Sequence, residues 1–451
     1  MSFPRYPKYK PSGVEWLGEV PEHWDVKRLR RLVGLNPSKS ETASMPTDSL
    51  VSFLPMEAIG ENGSIDLERQ RVLSEVASGY SYFRDGDVVI AKITPCFENG
   101  KGALVRSLTN SCGFGTTELI VMRPNPASME PEFLHRLVTS DSFRKLGEAS
   151  MYGAGGQKRV PDDFVREFPA PLPPTPEQRA IAAFLDRETA KIDTLIAEQE
   201  KLIELLAEKR QAVISHAVTK GLNPAAPMKP SGVEWLGDVP AHWGTMPLMR
   251  LVPEERRIMY GIVLPGPDVD VGVPIVKGGD VAPGRLTLDQ LKRTTNEIEA
   301  NYARSRLRGG DIVYSIRGSI GDAEMVPAEI EGANITQDVA RVAPRLEVHG
   351  QWLLQALRST GVFAQLDATA GGATIRGINI FSLKRAQIPV PPLREQVAIA
   401  NWLERVVAAS DALSAEVGSA LQLLKERRSA LISAAVTGQI DVRNVVPEHA
   451  A

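Results

Sequence analysis

Cysteine is nearly missing from this chain of 451 residues: only Cys96 and Cys112 occur, with no CxxC pair and no Cys/His cluster around them. A disulfide framework and a zinc site of ordinary spacing are thereby excluded, and both thiols read as buried or idle. Long apolar runs are missing too, since nothing approaches the roughly 20 consecutive apolar residues of a membrane-crossing helix. The first 13 residues mix Arg5, Lys8 and Lys10 with three prolines and hold no apolar stretch of signal-peptide kind, so a cytoplasmic location is expected. Excess positive charge is lacking as well: the formal net charge is −3 and the pI about 6.2. That excludes a binder gripping nucleic acid with its whole surface, but a local groove of a few Lys and Arg stays open, with further grip borrowed from a partner. Catalytic signatures are absent: there is no GxxxxGK[ST] phosphate loop, no HExxH, no GxSxG elbow and no complete dinucleotide fingerprint. Asn36-Pro37-Ser38 lacks the aromatic end of an adenine-methyltransferase motif, and Pro161-Asp162 with Glu167 lacks the lysine a nuclease of that style requires. The chain is expected to be no enzyme and to hold no metal or cofactor.

What is present is a repeat. Residues 11–24 read PSGVEWLGEVPEHW and residues 230–243 read PSGVEWLGDVPAHW, differing only at Glu19/Asp238 and Glu22/Ala241. PLPPTPEQ at 171–178 recurs as PVPPLREQ at 389–396, and KRQAVISHAVT at 209–219 as RRSALISAAVT at 427–437, all at offsets of 218 or 219. Between these blocks, residues 25–168 and 244–386 resemble each other faintly. FRDGDVVI at 83–90 echoes LRGGDIVY at 307–314, and Thr116 to Leu119 echoes Thr336 to Val339. A duplicated scaffold carrying two diverged inserts of one fold explains this pattern.

Short apolar runs after Asp-Gly or Gly-Gly signals, at 87–91 and 311–315, and the run 118–122 predict strands. Segments 131–147 and 351–366 show helical spacing through Phe133, Leu137 and Phe143, then Leu353, Leu357 and Phe363. Thr175-Pro176-Glu177-Gln178 reads as a capping box opening a long helix at about Pro176. Leu185, Ile192, Leu195, Leu202, Leu206 and Val213 then recur near heptad spacing, as do Leu403, Val406, Leu413, Val417, Leu421, Leu424 and Leu431, all expected in a buried seam. Gly221 and Gly438 sit where helices stop. Two helices of roughly 40 residues would each span about 60 Å. The expected fold class is α/β: two mixed α/β domains joined by two long antiparallel coiled-coil helices, with a pseudo-twofold internal repeat. Such a rod would hold its two domains at a fixed spacing, as a reader of two separated DNA half-sites needs.

The duplicated PSGVEWLG and VPxHW blocks, with two divergent inserts each followed by an IPxPPxEQ-like segment and a long helix, resemble the specificity subunits of type I restriction–modification systems over essentially the whole chain. The resemblance implies a first target-recognition domain at 1–170, a central long helix at 171–222, a second target-recognition domain at 223–388, and a C-terminal long helix and tail at 389–451. It also implies a bipartite double-stranded DNA site, each half read by one domain. Partners would be two modification subunits that methylate adenine with S-adenosylmethionine, and restriction subunits that translocate and cut with ATP and Mg.

Glutamine, arginine and lysine make the paired bonds to base edges, and glycine lets backbone approach phosphates. Candidate DNA contacts are therefore Lys92, Thr94, Lys101, Thr116, Gln157, Lys158 and Arg159 in the first insert. In the second they are Arg317, Ser319, Thr336, Gln337, Thr374 and Arg376. Trp16, Trp24, Trp235 and Trp243, with His23 and His242, lie in the near-identical blocks and are assigned to packing or to a surface for a modification subunit, because readers of different half-sites should differ. His216 faces Ala434 and carries no shared role. A rival reading, a coiled-coil scaffold presenting two non-nucleic-acid binding modules, requires acidic rather than basic grooves on both inserts. An autonomous nuclease or methyltransferase requires turnover by the isolated chain.

Overall fold

Two helices, Thr175–Lys220 of 46 residues and Leu393–Val436 of 44, dominate the computed structural model, which describes residues 3–61, 63–154, 156–370, 377–443 and 445. The chain forms two compact units: Met1–Gln199 with Ser419–Ala451, and Glu200–Gly418. Each unit thus takes one insert and a stretch of both long helices, so the units cut across a simple linear division.

In unit 1 the helices pack antiparallel: Ile181, Phe184 and Leu185 share a core with Ile432, Ala435 and Val436, and Arg428 Nε donates to Asp193 at 2.7 Å. In unit 2, Ile214, Ala217 and Val218 share a core with Ile399, Ala400 and Leu403, and Arg210 pairs with Asp411 at 3.5 Å. The expectation of a continuous buried seam is corrected. Leu185, Ile192, Leu403 and Val417 are buried, but Leu195, Leu202 and Leu413 are 44%, 37% and 43% exposed. These positions of the apolar stripe are left partly open to solvent.

The inserts share a plan. Unit 1 has a four-stranded antiparallel sheet in the order Val33–Leu35, Leu119–Pro124, Val88–Ala91, Gly102–Leu104. Unit 2 repeats it with Met259–Tyr260, Val339–Val342, Ile312–Ser315 and Ala323–Met325. A second sheet follows in each, Gln70–Val72, Leu50–Leu54, Cys112–Gly115, Ser81–Arg84 in unit 1 and Lys292–Thr294, Val273–Val276, Asn334–Ile335 in unit 2, with one parallel pair in each. The echoed FRDGD and LRGGD are one turn built twice. Gly86 and Gly310 adopt φ of 89° and 87°, and buried Asp87 and Asp311 accept from the backbone N–H of Arg84 and Arg308. Each carboxylate is also gripped by both arms of an arginine, Arg123 or Arg256, at 2.5–2.7 Å. The helical segments are each broken in two by a serine: Pro131–Val138 and Asp141–Ala149 around Ser140, Gly350–Arg358 and Thr360–Asp367 around Ser359. Both hydroxyls accept an N–H three residues on, the N-cap role that competes with helix continuity.

Each insert leaves and rejoins the scaffold at one two-stranded ribbon, Asp25–Arg28 with Pro169–Leu172 and Gly244–Pro247 with Gln387–Val390. The repeated blocks lock that ribbon to the helix. Glu177 accepts from Trp24 Nε1 at 3.1 Å and bonds His23 at 2.8 Å; Glu395 accepts from Trp243 Nε1 at 3.0 Å and bonds His242 at 2.7 Å. Trp24 and Trp243 are buried, as packing residues should be, whereas Trp235 is 47% exposed. The predicted capping box does not form. Pro174 O takes the Gln178 N–H, while the Gln178 side chain donates to Ser128 O and Pro173 O and accepts from Glu130 N. Gln396 does the same with Pro391 O and His349 N. The glutamine of each repeat therefore stitches insert to helix rather than capping. Gly438, with φ 75°, ends the second helix, and a Cβ there would lie 2.5 Å from Pro21. Cys112 is buried and Cys96 half-buried, both free.

His135 is buried in unit 1 beside Arg136, and burial, then that charge, pulls its pKa from 6.5 down to about 4. The fold keeps the neutral ring, so this stability is complete above pH 6.5 and drains as pH falls toward 4. Between pH 7 and 4.5 unit 1 should lose about 2–3 kcal/mol here. His135→Gln should remove that part of the acid sensitivity, as urea midpoints at the two pH values would show; an unchanged midpoint difference would refute it.

Candidate nucleic-acid interface

Three segments meet at the tip of each insert. In unit 1 the loop after Val88–Ala91 is tied to the turn before Leu119–Pro124 by Lys92 N–H to Glu118 O at 2.8 Å. It is tied to the segment before helix Asp162–Glu167 by Val160 N–H to Lys92 O at 2.9 Å. In unit 2, Ile316 N–H donates to Asp338 O and Ile378 N–H to Ile316 O, both at 2.8 Å, reproducing both ties. Bridges Ile93↔Arg159 and Arg317↔Gly377 are likewise counterparts. The sequence candidates, scattered between Lys92 and Arg159 in the first insert, are thereby drawn toward one place.

They do not all present free groups. Tyr152 and Arg159 exchange backbone hydrogen bonds at 3.1 and 2.9 Å, closing a hairpin on whose returning side Gln157 and Lys158 are both exposed. The arginine itself grips Glu118 with Nε at 3.0 Å and Nη2 at 2.7 Å, and that bond holds the Glu118 carboxyl below the usual range. Thr94 donates to Gly156 O at 2.7 Å and accepts from Lys158 N at 3.0 Å, shaping the same hairpin. Lys101 Nζ donates to Met56 O at 3.1 Å, and the Thr116 hydroxyl accepts from Glu118 N at 3.2 Å. Lys92 is half-buried beside Glu118.

In unit 2, Arg317 and Ser319 are exposed, with Ser319 hydrogen-bonding Asp322. Gln337 is half-buried and donates its N–H to Ile262 O. Thr336 does not fit as a contact: it is 3% exposed and its hydroxyl donates to Val276 O at 3.3 Å, tying the strands beneath the tip. Thr374 and Arg376 lie outside the described residues.

Two features escaped the residue-type search. Tyr152, 63% exposed, stands at the base of the basic hairpin. Beside Gln337, the end of strand Met259–Tyr260 and the loop after it expose Tyr260, Val263, Leu264 and Val271, the last two at 80% and 88%. Apolar groups of this kind contact thymine methyls or base faces. The signal available in sequence was an aromatic set among small residues, MYGAGG, and an apolar run interrupted by prolines, YGIVLPGP. Among the described residues no His/Cys/Asp/Glu group could hold a metal ion and no helix is long and apolar enough to cross a membrane.

Residues 270–421 match the family model for the type I restriction modification DNA specificity domain. The match takes in most of the second insert and much of the last helix. It is 36% identical over 194 residues to the EcoEI type I restriction enzyme specificity subunit of Escherichia coli, covering 43% of this chain and 32% of that one. To the EcoBI specificity subunit of the same organism it is 29% identical over 275 residues, 60% of this chain and 58% of the relative. The chain thus spans less than two thirds of either relative's length. A chain from a structure of a type I restriction–modification system superposes with a TM-score of 0.71 at 22% identity, over 92% of this chain and 98% of that one, which shows a shared fold. In this chain the near-identical blocks supply the His and Trp of the two locks, and the diverged inserts carry the tips that differ.

Proposed function

We propose that this chain is the sequence-reading subunit of a type I restriction–modification complex, each insert tip reading one half of a bipartite double-stranded DNA site. What supports the reading is the pairing of sameness with difference: one ribbon-and-lock base built twice, carrying two tips of the same three-segment plan with unlike side chains. Gln157 and Lys158 in unit 1 and Arg317 in unit 2 are the exposed groups suited to base edges and phosphates, with Tyr152, Tyr260 and Leu264 as apolar contacts. Lys92, Lys101, Ser319 and Gln337 flank them, and Thr94, Thr116 and Arg159 hold the loops in shape. The chain itself performs no catalysis. Two modification subunits using S-adenosylmethionine would methylate adenine, and restriction subunits using ATP and Mg would translocate and cut, all in the cytoplasm. A near-neutral chain suits a reader that draws phosphate grip from such partners.

The test is protection of a split duplex sequence by the chain assembled with its modification partners. Scrambling either half alone should abolish protection. Unaltered protection after scrambling one half would refute the reading and favour a scaffold for other ligands.

A further inference from the structure

The two locks differ in one respect that the repeat makes measurable. In unit 1 the N-terminal segment lies over the lock: Tyr6 donates its hydroxyl to Glu177 Oε1 at 2.6 Å, the oxygen that also takes the Trp24 N–H. The Tyr6 ring packs 5.8 Å from both the His23 and Trp24 rings, and Arg443 caps it at 4.9 Å. Tyr9 donates to Gly438 O at 3.0 Å. Glu177 is consequently only 6% exposed.

Residues 222–243 follow 3–24 without a gap, and the ribbon Tyr9–Pro11 with Glu19–Pro21 recurs as Met228–Pro230 with Asp238–Pro240. In that alignment Ala225 stands where Tyr6 stands and Met228 where Tyr9 stands. Beside the second lock lies a cavity of about 350 Å³ lined by Gly221, Leu222, Pro240, His242, Glu395 and Ile399 among others. Glu395 is 42% exposed, and its Oε2 accepts the Trp243 N–H with no second donor among the described residues. The cavity has the apolar walls, the imidazole and the carboxylate acceptor that hold a tyrosine in the other repeat.

We infer that this cavity of unit 2 is a binding site for a tyrosine side chain carried on an extended segment of a partner protein, with the phenol hydroxyl donating to Glu395. A phenylalanine would fill the walls but leave the acceptor unmatched, so the site distinguishes the two by a hydrogen bond to a charged group. The inference is independent of DNA reading.

The probe is the acetylated, amidated peptide PRYPK, the sequence of residues 4–8, titrated into the full chain together with its modification partners and followed by ligand-observed NMR. Saturable binding below about 1 mM is expected, weakened at least about tenfold when the tyrosine is phenylalanine. Ala225→Tyr should fill the cavity from within and abolish binding; Glu395→Gln, which keeps the shape, should weaken it about tenfold and serves if the first variant does not fold. No binding at 1 mM, equal binding of the phenylalanine peptide, or binding that survives both substitutions would overturn the proposal. So would a self-dimer of the chain that the peptide competes away, since the occupant would then be a second copy's N-terminus.

Discussion

Glu177→Ala is expected to destabilise unit 1 by about 3 kcal/mol or more, while Glu395→Ala costs unit 2 only about 1 kcal/mol. The carboxylate of Glu177 is nearly sealed and serves three donors, two of them on buried Tyr6 and Trp24. Its removal strands those donors where water does not reach. Glu395 serves two, and at 42% exposure the solvent can replace it at Trp243 and His242. Urea unfolding of the two variants, followed by tryptophan fluorescence, measures the contrast; equal losses would mean that the N-terminal segment does not seal the first lock.

The second large effect concerns reading. Alanine at both Gln157 and Lys158 should weaken binding of the assembled complex by about 10- to 100-fold, with relaxed discrimination at one half-site and none at the other. Both side chains are exposed on a hairpin whose shape is held by Thr94 and by the Arg159–Glu118 pair. Lys158→Ala alone should reduce the salt slope of binding by about one, the signature of a lost phosphate contact. Binding curves against duplexes altered in each half decide between this and a passive hairpin, which would leave every curve in place.

The scaffold was legible because near-identical blocks must do identical work, and the strands at 88–91, 312–315 and 119–124 were legible from apolar runs beside turn residues. Other features depend on partners far away in the chain. Glu177 meets Trp24 across 153 positions, so its lock leaves no local pattern. Gln178 looked like a capping residue because local spacing allows it, yet the turn at Ser128–Glu130 offers better partners. The heptad stripe over-reported burial because periodicity says which side of a helix is apolar and not how many neighbours cover it. At the tips, residue type alone placed Thr336 beside Gln337. Alternation along the segment puts one inward under the strands and the other toward the surface, and Tyr152 was passed over because a search for basic and amide side chains does not weigh an aromatic among small residues.

Exchange of residues 25–168 for the insert of a similar specificity subunit, followed by sequencing of the methylated sites in a cell that supplies the modification subunits, tests the central claim most directly. The account predicts a new sequence in one half of the site and the old sequence, undisturbed, in the other. A change in both halves, or in neither, would contradict it.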